Sequence, residues 1–256
     1  PQDETPETAL VRDDGAVLIT GGLGALGQHV AHWLVHEHGA KNLILTSRRG
    51  NDAPGASELI ESLAPEATVE VVACDVADAD AVTALFSERA ISGVIHAAGI
   101  LDDGVLGRMT PERMSRVLAP KVDGAWNLHC ETQERELDFF VLFSSIAGVF
   151  GNPGQSNYAA ANTYLDQLAA HRRARGLVAT SIAWGPWDEG GMAAELDSTD
   201  QARMRRQGLG ALAREQGLSI LGDAIARKDD FLVAMDLDTR RLERLFERMG
   251  MGVPAI

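Results

Sequence analysis

An apolar run that ends in glycines constrains this chain more than any other stretch. Ala16-Val17-Leu18-Ile19-Thr20 has the composition of a strand buried on both faces, and it runs straight into Gly21-Gly22-Leu23-Gly24-Ala25-Leu26-Gly27, inside which a helix opens. Gly22, Gly24 and Gly27 satisfy G-x-G-x-x-G in the strand-to-helix context that gives the spacing meaning. Without Cβ atoms the backbone can turn tightly and approach a pyrophosphate, whose charge is stabilised by the free N–H groups of a helix N-terminus. A glycine-rich turn with no ligand is the plainer alternative, and the buried strand directly before it argues against it.

The same pattern recurs. Asn42–Ser47, Val69–Cys74, Val94–Gly99 (a strand and its exit), Leu137–Phe143, Ala179–Ala183 and Phe231–Met235 read as further strands. Repeated strand and helix units of this size predict an α/β fold with a doubly wound parallel sheet, Rossmann-like. Ligands of such sheets sit beyond the carboxyl ends of the strands, so Gly22, Arg48, Asp75, Gly99 and Ser145 should share one rim. Where an NAD site places an acidic residue on the ribose, Arg48 and Arg49 follow Ser47, and a guanidinium there suits the 2′-phosphate of NADP. Asp75 could hydrogen-bond an adenine amino group or cap the next helix.

Ser144 and Ser145 stand at the carboxyl end of the fifth strand. After the turn Gly151-Asn152-Pro153-Gly154, Asn157 to Arg173 reads as a helix carrying Tyr158 and Asn162 four residues apart, on one face. A strand-end hydroxyl and a helix phenol can thus converge. Thr199–Gln207, Leu218–Arg227 and Arg241–Met249 read as later helices, the last amphipathic, with Leu242, Leu245, Phe246 and Met249 on one face.

Bulk composition narrows the partners. The chain has 256 residues, 45% hydrophobic, enough for one sizeable core. A net charge of -14 argues against nucleic acid or an anionic membrane as the main partner. No apolar stretch is long enough to span a bilayer and no signal peptide precedes the first strand, so a cytoplasmic protein is expected. Cys74 and Cys130 read as small core residues rather than a disulfide. His32 and His36 have the spacing of a zinc pair but no evident third ligand, and no metal is expected. His96 is expected to pack against the dinucleotide. Residues 1–14, acidic and with two prolines, read as a solvated linker, 15–239 as the catalytic unit, and 240–256 as a terminal amphipathic helix and tail.

Together these residues resemble the ketoreductase domains of modular type I polyketide synthases, a branch of the short-chain dehydrogenases/reductases. The likeness runs from about Ala16 to Asp238 and is carried by Thr20 to Gly27, Ser47-Arg48-Arg49, His96-Ala97-Ala98-Gly99, Leu101-Asp102-Asp103, the Ser145 and Tyr158 pair thirteen residues apart, and Trp184-Gly185-Pro186-Trp187. Most short-chain reductases have lysine four residues after the tyrosine; here Asn162 stands there, as in these ketoreductases, which draw the lysine from an earlier helix. Lys121 is similar to that swapped lysine. Only three of the 23 basic residues are lysines, so an amine at this place is a departure from the chain's habit of using arginine, whose proton cannot be moved.

The resemblance implies Tyr158 as general acid tuned downward by Lys121, Ser145 as hydrogen-bond donor to a ketone oxygen, and Asn162 as the fourth member, holding a water or backbone group. It implies NADPH held by Thr20, Gly21, Gly22, Leu23, Gly24, Leu26 and Gly27, by Ser47, Arg48, Arg49, Asp75 and Val76, and by Ala97, Ala98, Gly99, Pro186, Trp187 and Met192. Asp188 to Ala193 would be a hinged lid. Leu101-Asp102-Asp103 resembles the marker of B-type members, which form a 3R (D) β-hydroxyl. Phe150 stands where A-type members have tryptophan, Ala160 where epimerising B-type members have proline, and Gln155 completes the substrate and stereocontrol set. Read without the resemblance, Asp102-Asp103-Gly104 is an acidic turn. The implied partners are an acyl carrier protein bearing a phosphopantetheine-tethered β-ketoacyl chain and an N-terminal structural subdomain, for which nothing before Asp14 suffices. A silent dinucleotide-fold scaffold and a stand-alone alcohol dehydrogenase are the competing readings.

Overall fold

The buried-strand patterns form seven strands, and the computed structural model describes residues 10–12, 14–189, 209–227 and 229–240. The strands are β1 (Ala16–Thr20), β2 (Asn42–Ser47), β3 (Thr68–Ala73), β4 (Ile91–His96), β5 (Phe139–Ser145), β6 (Thr180–Trp184) and β7 (Phe231–Ala234). They pair in parallel in the order β3-β2-β1-β4-β5-β6-β7. From β1 the chain winds outward to β3, then returns to lay β4 against the other side of β1. The winding direction therefore switches between β1 and β4, the place where such sheets open a crevice at their carboxyl ends.

The helices are α1 (Ala25–His36), α2 (Ala56–Leu63), α3 (Ala79–Ser87), α4 (Pro111–Thr132), α5 (Ile146–Phe150), α6 (Ser156–Ala174) and α7 (Arg214–Arg227). Because strand side chains alternate, β1 sends Val17 and Ile19 to one face and Leu18 to the other. The first face is covered by α1 and α7 through Val30, Trp33, Leu34, Leu218 and Leu221. The second is covered by α3, α4 and α6 through Val82, Leu85, Leu128, Leu165 and Leu168. Fully burying one such side chain contributes on the order of 1.5–3 kcal/mol, so both helical layers are needed to hold the sheet. A smaller cluster of Val117, Ala147, Tyr158 and Ala161 joins α4, α5 and α6 beneath the carboxyl ends of β4 and β5.

Several expectations change. Leu10 to Arg12 are not free linker: Val11 is buried in the main core, and the Arg12 guanidinium pairs with Asp138 at 2.9 Å. Asp75 does not cap α3. Its Oδ1 accepts from the Ala77 amide at 3.1 Å in a local turn, and Asp78 caps the helix by accepting from Asp80 and Ala81. Cys74 is a buried free thiol as expected, whereas Cys130 is free but exposed. His32 and His36 face each other at 3.3 Å, His36 bonds Glu66, and no group of three or more His, Cys, Asp or Glu among the described residues could hold a metal ion. No helix among the described residues is long and apolar enough to cross a membrane. The helices expected over 199–207 and 241–249 lie outside the described residues.

Candidate active site

The glycines at the end of β1 are required by close approach. Gly21 takes φ +67°, and a Cβ on it would lie 2.9 Å from the Ala98 backbone. A Cβ on Gly27 would lie 2.5 Å from the Gly21 carbonyl oxygen and 2.6 Å from the Gly22 Cα, so α1 can start this close to β1 only with glycine there. Gly24 is the N-cap of α1 with no side-chain cap, and the first turn carries no acidic residue, leaving its N–H groups open to an anion. Beside it an open cleft of about 690 Å³ is lined by Leu23, Gly24, Ser47, Arg48, Arg49, Ala53 and Pro54. Arg48 and Arg49 are exposed, and neither guanidinium has an ion pair or hydrogen bond among the described residues.

Ala97, Ala98 and Gly99 leave β4 on the same rim, half-buried, with the Ala97 amide donating to the Thr20 carbonyl at 3.1 Å. Asp75 is exposed at the end of β3. Leu23 and Leu26 pack their side chains against the main core, and Pro186 is half-buried beyond β6. Three expected cofactor residues instead shape the rim from beneath. Thr20 is fully buried and its Oγ1 is 2.6 Å from His96 Nδ1. Val76 packs against Gly124. Trp187 is buried against Trp184 and Gly217, because the Leu212 amide bonds the Pro186 carbonyl and pins the segment down. His96, likewise fully buried, has no surface to offer a dinucleotide. Met192 and the rest of the expected lid after Glu189 lie outside the described residues.

Catalytic candidates come together over β4 to β6. Ser145 ends β5 and is the N-cap of α5, its Oγ accepting from the Ala147 amide at 3.2 Å. That contact uses an oxygen lone pair and leaves the hydroxyl proton to donate elsewhere. The rival Ser144 is buried, with its Oγ donating to the Asn162 carbonyl at 3.3 Å, whereas Ser145 is only half-buried. Tyr158 is 7% exposed on α6, and burial pushes its phenol up to about 12, against the pull of Asn162 and Ser145. Asn162, one turn on, donates from Nδ2 to the Tyr158 carbonyl at 2.8 Å, while its buried Oδ1 has no partner among the described residues.

Lys121 is brought near Tyr158 from α4, directly after Pro120, which removes one helical hydrogen bond. Its ammonium lies 5.5 Å from the centre of the Tyr158 ring, donates to the Phe143 carbonyl at 2.8 Å, and is drawn down to about 8 by burial, with Asp166 opposing. Its Cε would lie 2.9 Å from a Cβ on Gly99. The expected lowering of Tyr158 by Lys121 is not found: burial is the largest influence and keeps the phenol protonated, and the opposing pull comes from Asn162 and Ser145.

Leu101-Asp102-Asp103 is more than an acidic turn. Leu101 packs on the Tyr158 cluster, and Asp102 pairs with Arg113 at 2.7 Å and Arg116 at 3.2 Å. Asp103 accepts from Gln155 Nε2 at 2.8 Å, and its carbonyl accepts from Arg113. Asn157, fully buried next to the tyrosine, donates to the Asp102 carbonyl at 2.9 Å. Phe150 is 63% exposed at the end of α5, its ring free of the core. Sequence reasoning passed over Arg113, Arg116, Asn157 and Asp166. The spacing of Arg113 and Arg116 on a helix that starts after Thr110-Pro111 was a usable signal, but the pairing across elements was not visible.

Comparison with known proteins agrees with this fold. A family model described as the KR domain matches residues 15–189. Polyketide synthase GfsA of Streptomyces halstedii is 49% identical over 249 residues, which cover 95% of this chain and 3% of that protein. A solved structure of A-type ketoreductases from a modular polyketide synthase superposes with a TM-score of 0.86 at 41% identity, covering 94% of this chain and 52% of that one. The first ketoreductase of the tylosin polyketide synthase gives 0.85 at 43% identity, covering 95% and 53%. The chain thus spans a small part of the curated relatives and about half of the solved ketoreductases. With its parallel sheet, its glycine turn and a family match over more than half its length, the chain belongs to the KR family, the ketoreductase domains of polyketide synthases.

Proposed function

We propose that the chain catalyses NADPH-dependent reduction of a β-ketoacyl thioester, tethered through phosphopantetheine to an acyl carrier protein, to the 3R β-hydroxyacyl thioester without inversion of an α-substituent. The observation that carries this reading is the meeting of Lys121, Ser145, Tyr158 and Asn162 beside the glycine turn of β1. The residues present fit the cofactor. Glycines at 21 and 27 that let α1 start tight against β1, an uncapped helix start and two unpaired arginines suit a dinucleotide with a 2′-phosphate. Arg48 and Arg49 would hold that phosphate and Asp75 the adenine amino group. When bound, the nicotinamide supplies the hydride that the ketone carbon receives.

Tyr158 gives its proton to the ketone oxygen as that charge builds, and burial keeps it in the protonated form a general acid needs. Ser145 donates a hydrogen bond to the same oxygen with the hydroxyl proton that its contact with the Ala147 amide leaves free. Asn162 Oδ1, buried without a partner among the described residues, is where a water would join the path that returns a proton to Tyr158, with Lys121 as the cation beside it. Leu101 and the tethered Asp102-Asp103 border the substrate side, and the resemblance to B-type members supports the 3R outcome. The structural subdomain would be supplied from elsewhere in a cytoplasmic assembly.

The test is NADPH consumption with a β-ketoacyl thioester, wild type against Tyr158→Phe, with the structural subdomain present. Equal rates would sink the mechanism, and no rate in either would favour a silent scaffold. Chiral separation of the product tests the 3R assignment, and an NADH comparison tests the role of the arginines.

A further inference from the structure

Lys121 is 3% exposed, and its amine has the Phe143 carbonyl for a partner at 2.8 Å. A buried ammonium without a compensating carboxylate tends to lose its proton. Among the described carboxylates only Asp166 acts on it electrostatically. Asp166 lies on α6, eight residues after Tyr158 and four after Asn162, so the three follow one face of the helix. Burial raises the pKa of Asp166, and Ser181 of β6, whose Oγ donates to its Oδ1 at 2.7 Å, opposes that rise. Ser181 pairs with Leu142 of β5, the residue before Phe143, so neighbouring strands hold the carboxylate through a hydroxyl and the lysine through a carbonyl. The remaining titratable neighbours are His96 from β4, which feels the Lys121 charge, and Tyr158 from α6, which is protonated.

We propose that Asp166 is a positioning residue which, held by Ser181, keeps the buried Lys121 as an ammonium ion beside Tyr158. It touches neither substrate nor cofactor, and it rests on the reductase reading only for the use to which that charge is put.

The chain makes the test clean, because it has only three lysines, Lys41, Lys121 and Lys228. Side-chain NMR of labelled lysine, assigned by loss of one signal in Lys121→Arg, follows the titration of Lys121 directly in the full chain. In Asp166→Asn its midpoint is expected about one pH unit lower, a tenfold change in proton affinity, and Asp166→Glu restores most of it. In NADPH-dependent reduction the alkaline fall of the rate should move to lower pH in Asp166→Asn while KM for NADPH stays unchanged. An unmoved Lys121 midpoint in folded Asp166→Asn overturns the proposal. If that variant does not fold, Ser181→Ala carries the test with a smaller shift in the same direction, and no shift there also overturns it. A moved midpoint in a chain that reduces nothing supports Asp166 and sinks the reductase reading instead.

Discussion

Over β1, β2 and β3 the strand ends offer backbone and free cations; over β4, β5 and β6 they offer buried side chains that hydrogen-bond one another. On the first side Gly24 is exposed at the start of α1 and Arg48 and Arg49 reach into solvent. On the second, Lys121, Asn157, Tyr158 and Asn162 are all buried. The groups whose proton affinity is displaced farthest, His96, Lys121, His129, Tyr158 and Arg172, all lie on β4, α4 or α6. The difference follows from the tasks. An anionic ligand brings its own charge and needs only preformed N–H groups and guanidinium forks, which work while wet. A proton donor must have its affinity set, and burial is the strongest means available. Damage to the first side should therefore appear in cofactor KM, and damage to the second in kcat.

The largest break of that rule would come at Tyr158. Tyr158→Phe removes one buried hydroxyl and is expected to lower kcat by about 10²–10⁴-fold, the usual worth of a general acid, with KM for NADPH little changed. A KM effect of similar size would erase the distinction between the two sides.

Next in size, Arg48→Gln with Arg49→Gln should raise KM for NADPH by about 10–100-fold, since hydrogen bonds to charged groups contribute roughly 1.5–3 kcal/mol. The kcat should stay within about twofold, and KM for NADH should not follow. Both side chains are exposed and unpaired, so thermal unfolding should be unchanged. Gly27→Ala should act differently, because its Cβ would meet backbone at 2.5 Å and 2.6 Å rather than a side chain that can move. A loss of about 1–3 kcal/mol in urea unfolding is expected, together with weaker NADPH binding. Wild-type stability there would mean that α1 can retreat from β1 without cost.

The two sides were also unequally legible in the sequence. The binding side is local: Gly21 to Gly27 and Ser47 to Arg49 are continuous stretches whose meaning depends on one strand and one helix, and β1 and β2 occupy the expected residues. The catalytic side is assembled across elements. Tyr158 and Asn162 could be placed by helical spacing, but Lys121 was reached only through a family resemblance and the rarity of lysine. Asp166 left no trace, because an acidic residue in a polar-looking helix reads as solvent-facing until β6 places Ser181 against it. Trp187 failed for a related reason. An aromatic after a strand end can face a ligand or fill a core, and only the approach of Gly217 decides for the core.

The smallest expected effect lies where the two sides are joined. His96 of β4 is fully buried, with Nδ1 2.6 Å from the Thr20 hydroxyl of β1, and its pKa is pushed down to about 3 by burial and then by Lys121. An unfolded histidine takes its proton near pH ~6.5. The folded affinity is the lower one, so the stability attached to neutral His96 is complete above that pH and is lost progressively as pH falls towards 3. From pH 7 to 5.5 the loss is about 1 kcal/mol, with a limiting slope near 1.4 kcal/mol per pH unit for one proton. His129, drawn down to about 4 by burial and then by Arg172, adds a slope of the same sign in the same window. Urea unfolding at pH 7 and pH 5.5 should therefore show acid destabilisation in the wild type. His96→Gln, which keeps a polar group near Thr20 but cannot take up the proton, should remove about one proton's worth of that slope and leave the His129 share. An unaltered slope would mean that His96 protonates without disturbing the β1–β4 junction, and the seam between binding and catalytic sides would then be looser than the 2.6 Å contact implies.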